Sequence, residues 1–184
     1  MITSTTAGGT ARQLPLVATL NSRQLANGRT IVRILRQAGL PDNAIAGALA
    51  NAWWESGTPH PVDGARGWNE RAVGDGGASV GVWQMHERGA GSGMSVAERQ
   101  NVANATAEMV SREISKAAGL RFRDAAAQGA SVVELAVIFG RDIERPADRS
   151  TATLTRERGG AAERLFGSGV NQGGAVLLPP ELTR

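Results

Sequence analysis

The residues of this chain best suited to chemistry are carboxylates. Glu55, followed by Ser56 and Gly57, stands at the end of an apolar helical stretch, and Asp75 sits in the turn Gly74-Asp75-Gly76-Gly77. A carboxyl group at the border of a core is partly desolvated, and in the last turn of a helix it also feels the negative end of the helix dipole; both effects raise its pKa and equip it to donate a proton near neutral pH. Acid-assisted cleavage of a glycosidic bond uses such a donor together with a second carboxylate or a neighbouring group on the sugar. Asp75 is the leading second carboxylate, with Asp63, Glu70 and Glu87 behind it. Two plainer readings stand beside these: Glu55 as an ordinary border acid paired with an arginine, and Asp75 as a brace for its own turn.

Other chemistries find less support. The chain has no Cys and two His, His60 and His86, in unrelated contexts, so thiolate chemistry is excluded and no zinc-ligand spacing exists. Gly91-Ser92-Gly93 has no strand before it, and Gly74 to Gly77 precedes no helix and carries no Lys, which argues against a serine-hydrolase elbow and a phosphate loop. No metal and no cofactor is expected.

The elements that must hold these groups are helical. Ile31, Val32, Ile34, Leu35 and Ala38 predict a helix from Arg29 to Ala38, ended by Gly39. Leu40-Pro41-Asp42 marks a second start, with Asp42 as N-cap, and the stripe Ile45, Ala48, Leu49, Ala52 and Trp53 carries that helix to about Ser56. Gly57 to Gly93 has no sustained period and reads as loops with short strand pieces, long enough to suggest function. Trp54, Trp68 and Trp83 fall in or beside it, and their rings suit the apolar faces of sugars; Trp53 is a core residue. Capping boxes Ser95–Glu98 and Ser131–Glu134 predict helices over 95–118, closed by Gly119, and from Ser131 to a stop at Pro146. A short helix over 121–128 and a last one over 150–166 complete the set.

With 184 residues, 41% of them hydrophobic and 20% charged, the chain fits one globular domain. Residues 29–167 form that domain; 1–28 read as an N-terminal arm and lead-in, and 168–184 as an extended C-terminal arm. Net charge is +3 and the basic residues are nearly all Arg, interspersed with acids, so no nucleic-acid patch is expected. A modest positive bias still favours an anionic polymer. No signal peptide and no membrane span are apparent, which predicts synthesis and initial residence in the cytoplasm.

Gly39-Leu40-Pro41, Ala44 to Gly47, Asn51, Glu55-Ser56, Gly74 to Gly77, Ser79, Gly81, Trp83-Gln84 and Arg88, joined by Phe139 and Glu144-Arg145-Pro146, together resemble the phage tail lysozyme family, itself similar to goose-type lysozymes and lytic transglycosylases. The resemblance covers roughly residues 30–166. It implies a mainly α, lysozyme-like domain whose Gly-rich loop and short β region form one wall of a cleft, flanked by extended arms. It also implies cleavage of the MurNAc–GlcNAc β-1,4 bond of peptidoglycan, with Glu55 as catalytic acid and Ser79, Gly81 and Gln84 on the cleft wall. Ser56, Trp68 and Trp83 are added as substrate-binding candidates. Val82 and Trp83 stand where the wider superfamily often has Leu and Met or Phe. The implied setting is a virion tail component, made in the bacterial cytoplasm and acting at the wall, its arms tied to neighbouring particle proteins. Lytic transglycosylation, and a structural or glycan-binding subunit with little turnover, are the alternatives.

Overall fold

A computed structural model describes residues 11–145 and 150–184. Helix α1 (Ser22–Gln37) follows a two-residue strand, β1 (Arg12–Gln13). It starts seven residues earlier than its apolar stripe predicts. Asn21 caps it in a reciprocal box with Gln24, and its first turns bury polar rather than apolar groups: Gln24 Nε2 donates to Arg66 O at 2.8 Å and Asn27 Nδ2 to Glu70 Oε2 at 2.7 Å. Gly28 lets the ring of Trp68 come so close that a Cβ there would meet it at 2.7 Å.

Helix α2 (Asp42–Glu55) is the axis of the molecule. Every residue from Asn43 to Ala52 is buried, so the expected stripe is in fact the whole circumference, as befits a helix walled in on all sides. Its small side chains permit this, above all Gly47, where a Cβ would lie 2.9 Å from Leu135 Cβ on the helix packed against it. Asp42 is not the N-cap. Pro41 holds that place, and the Asp42 carboxylate instead pairs with Arg36 at 2.8 Å and accepts from Leu178 N at 2.8 Å.

The glycine-rich segment folds as expected into loops around a small antiparallel sheet of β2 (Val73–Gly74), β3 (Ser79–Val80) and β4 (Met85–His86), with Val73 opposite Val80 and Ser79 opposite His86. Buried Arg99 fastens the sheet to the helices by donating from Nη1 to Ala78 O and Met85 O at 2.7 and 2.9 Å. Gly81, at φ +83°, passes so near the Arg99 carbonyl that a Cβ would lie 2.2 Å from it.

The predicted long helix over 95–118 is two pieces, α3 (Val96–Gln100) and α4 (Val102–Met109), the latter extended by a wide turn to Ile114; the predicted short helix over 121–128 is α5 (Ala117–Ala127), which starts four residues earlier. Asn101 breaks the long helix with an extended ψ of 112° while its side chain caps α4. Gly119 is no terminator either; it lies inside α5, where a Cβ would sit 2.0 Å from Ile114 O. Helix α6 (Val132–Phe139), with the expected Ser131–Glu134 box, runs on through a wide turn to Glu144. Pro146, its expected stop, lies outside the described residues. Helices α7 (Thr151–Leu154) and α8 (Gly160–Phe166), joined by the wide turn Thr155–Gly159, make up the last predicted helix.

The described parts of both predicted arms pack onto the domain. Strand β5 (Val176–Leu177) pairs in parallel with β1, and helix α9 (Pro180–Thr183) lies against α1. Leu14, Val170, Val176, Leu178 and Leu182 are all buried. Such one-at-a-time burial leaves no period for a sequence reading to find. Residues 1–10 lie outside the described residues.

Candidate active site

Glu55 is the last residue of α2, where the axial helix emerges from the core. Its side chain is 19% exposed and ion-pairs with the guanidinium of Arg158, itself 3% exposed, from the turn between α7 and α8. Burial is the largest influence on Glu55 and raises its pKa; Arg158 pulls it down, while the negative charges of Glu157 and Asp75 push it up, and the net direction is up. Glu55 is thus an acid whose pKa burial raises even though it is paired with an arginine.

Two cavities meet at Glu55. The first, of ≈ 430 Å³, is lined from the sheet side by Gly74, Asp75, Ser79, Gln84 and His86, and from the far end of α6 by Glu144 and Arg145. The second, of ≈ 640 Å³, continues past Glu55 along Trp53, Trp54, Gly57, Thr58, Arg66 and Arg164. Glu55 is the residue common to both cavities, and the sheet forms one wall of the first.

Several sequence-predicted site residues meet in the first cavity. Asp75 is held at φ +48°, a strained conformation for a residue with a side chain, and Ser79 Oγ donates to its Oδ2 at 2.6 Å. Gln84, at φ +44°, donates from Nε2 to Gly81 O at 3.0 Å, and its Oε1 lies where a Cβ on Gly74 would be, 2.4 Å away. Glycines at 74 and 81 thus fix where Gln84 points.

Four predicted substrate-binding residues line neither cavity. Gly81 is buried against the Arg99 carbonyl, its own carbonyl accepting from Gln84. Ser56 is fully buried, its Oγ donating to Ala52 O at 2.5 Å, and closes the end of α2. Trp68 is fully buried, edge-on to Trp53, with Nε1 donating to Leu49 O at 3.0 Å. Trp83 lies beneath the sheet, stacked on Phe139 and donating to Thr106 Oγ1 at 3.0 Å. Both rings belong to the core; the exposed tryptophan beside Glu55 is Trp54.

Two groups escaped the sequence reading as site residues. Arg158 belongs to the run Arg156-Glu157-Arg158, which looks like an exposed mixed-charge face, yet it is buried and grips both Glu55 and Glu157, the latter at 3.2 Å. Glu144 was visible only as part of a resemblance. Its Oε1 is buried with no hydrogen-bond partner among the described residues, and burial first, then the charge of Glu55, hold its pKa well above the usual carboxylate range. Neighbouring Arg145 has a left-handed backbone at φ +53° and, at the cavity edge, pairs with Glu113 at 2.8 Å.

No helix among the described residues is long and apolar enough to cross a membrane. No curated protein and no solved structure matches the chain. A family model described as phage tail lysozyme matches residues 26–167. That span runs from α1 to the end of α8 and takes in Glu55, Asp75, Gln84, Glu144 and Arg158, and the chain belongs to the phage tail lysozyme family.

Proposed function

We propose that the protein is a peptidoglycan glycosidase which cleaves the MurNAc–GlcNAc β-1,4 bond, with Glu55 as general acid, and that it serves as a tail component opening the wall locally. The observation that carries this reading is a carboxyl group of raised pKa common to two cavities, in a chain of the phage tail lysozyme family. Protonated Glu55 gives its proton to the bridging oxygen as the C1–O bond breaks, and positive charge develops on the ring carbon and ring oxygen. Asp75, from the sheet wall, takes a proton from the water that attacks C1. The product is a reducing sugar, and Glu55 regains its proton from solvent.

The other cleft groups support this sequence of events. Arg158 holds the Glu55 carboxyl in one orientation, because a buried guanidinium has little freedom of its own. Burial and the charge of Glu55 push the Glu144 carboxyl well above the usual carboxylate range, which disfavours a second negative charge beside Glu55. Gln84, aimed by its two glycines, offers an amide to the sugar.

One observation favours a second product. Asp75 already commits Oδ2 to Ser79, and a carboxylate that only braces its turn leaves Glu55 as the sole catalyst. It would then take back a proton from the sugar's own hydroxyl, giving an anhydro end as a lytic transglycosylase does. Dye release from labelled sacculi separates the readings: Glu55→Gln abolishes release in both, whereas Asp75→Asn abolishes it only if Asp75 activates water. Undiminished release by Glu55→Gln removes Glu55 from the mechanism, and sacculi bound by wild type without release would leave a glycan-binding subunit.

A further inference from the structure

The second cavity has a charge pattern that cleavage of a neutral sugar bond does not require. Trp54, 37% exposed, carries the guanidinium carbons of Arg158 and Arg164 at 5.6 and 5.8 Å from its ring centre. Arg66 lies on the same cavity, with Nη1 donating to Gly57 O at 3.0 Å and the rest of its fork without a partner among the described residues. Neither Arg66 nor Arg164 forms an ion pair with an acid among the described residues. The one acid lining this cavity, Glu55, is committed to Arg158. Nearby acids are occupied elsewhere: Glu163 accepts from Asn171, Glu157 pairs with Arg158, and Asp63 pairs with Arg23. Two exposed arginines, one of them against an aromatic face, thus border a cavity without a counter-charge of its own.

We propose that this end of the cleft is an anion subsite in which Arg66 and Arg164 bind a carboxylate carried by the glycan strand while Trp54 receives the apolar face of a sugar ring. A planar guanidinium resting on an indole loses little freedom on forming a two-point contact with a carboxylate, which suits arginine better than lysine for this place. The subsite rests on the peptidoglycan reading above and deepens it, since a wall strand has two sources of carboxylate: the acidic peptide side chains, and the lactyl group of the sugar once those peptides are removed. Its consequence is a preference for carboxylate-bearing strands over amidated ones.

The test compares wild type with the double variant Arg66→Gln/Arg164→Gln on three substrates: intact sacculi, sacculi whose carboxylates have been amidated with carbodiimide and ammonia, and strands stripped of peptides by an amidase. Wild type should show a KM about tenfold lower on intact than on amidated sacculi, with similar kcat, and the double variant should lose that discrimination. A KM lower on intact than on amidated sacculi identifies the peptide carboxylates as the anion; equal values there with a lower KM on stripped strands, lost in the double variant, identify the lactyl carboxylate. An equal wild-type KM on all three substrates, or unchanged ratios in the double variant, overturns the proposal. Co-sedimentation of the Glu55→Gln variant with the same sacculi reads binding without turnover. Carboxylate-dependent binding that needs Arg66 and Arg164, in a protein whose wild type releases nothing, would uphold the subsite while removing the catalytic reading.

Discussion

Glu157 offers a way to move the pKa of Glu55 without touching the acid itself. Its negative charge raises the Glu55 pKa and its contact with Arg158 draws some of that cation's influence away, so Glu157→Gln should lower the Glu55 pKa by both routes. A general acid works only while protonated, and the alkaline limb of a kcat/KM profile against pH should therefore move to lower pH in the variant. A limb that stays in place or moves up would show that another group sets it. Glu144 makes a prediction of the same kind for stability. Its folded pKa lies above the ordinary 4.5, so between those two values the folded chain holds a proton that the unfolded chain has released. The sign is then negative: stability falls as pH rises through that window. Glu144→Gln should flatten the fall, as read by urea denaturation at pH 5 and pH 8, and an unchanged slope would contradict the burial argument. At this scale Glu55 and Asp75 were legible from local signals, a carboxyl at a helix end and a glycine-rich turn, whereas Ser79 and Gln84 entered only through the family resemblance; all four line one cavity. Arg158 was not legible, since nothing in an Arg-Glu-Arg run tells which arginine turns inward. Trp68 and Trp83 were misassigned for a related reason: an indole in a polar loop looks the same from sequence whether it faces a sugar or a backbone carbonyl.

The elements divide in the same way. Helices with their own stop and start signals, such as the capped α6, were readable, whereas those interrupted by tertiary demands were not. The break at Asn101 follows directly on Arg99, which turns inward to hold the sheet through Ala78, 21 residues away in sequence. That contact makes Gly81 a sensitive point. Gly81→Ala would hold a side chain at φ +83° and bring its Cβ to 2.2 Å from Arg99 O. A loss of about 2 kcal/mol or more is expected, together with a displaced Gln84. A thermal melt matching wild type would mean that the sheet is not pinned there. The C-terminal segment yields a second prediction. Leu182 is 1% exposed, next to Gly28 and Trp68, and Leu182→Ala should cost about 2–5 kcal/mol if this stretch is part of the core rather than an arm. A cost near zero would restore the sequence reading.

For the whole molecule, the fold is an argument for one acid. A fully walled-in helix, α2, delivers Glu55 to the surface; a sheet pinned by Arg99 supplies one wall, and the turn after α7 supplies the buried cation. Membership of the phage tail lysozyme family connects this arrangement to the bacterial wall. The most direct test is mass spectrometry of the muropeptides released from purified sacculi by wild type and by Glu55→Gln. Wild type should release disaccharide muropeptides with reducing MurNAc ends, and Glu55→Gln should release them roughly a hundredfold to ten-thousandfold more slowly. Release by Glu55→Gln at the wild-type rate, or fragments cut only within the peptides, would contradict the account.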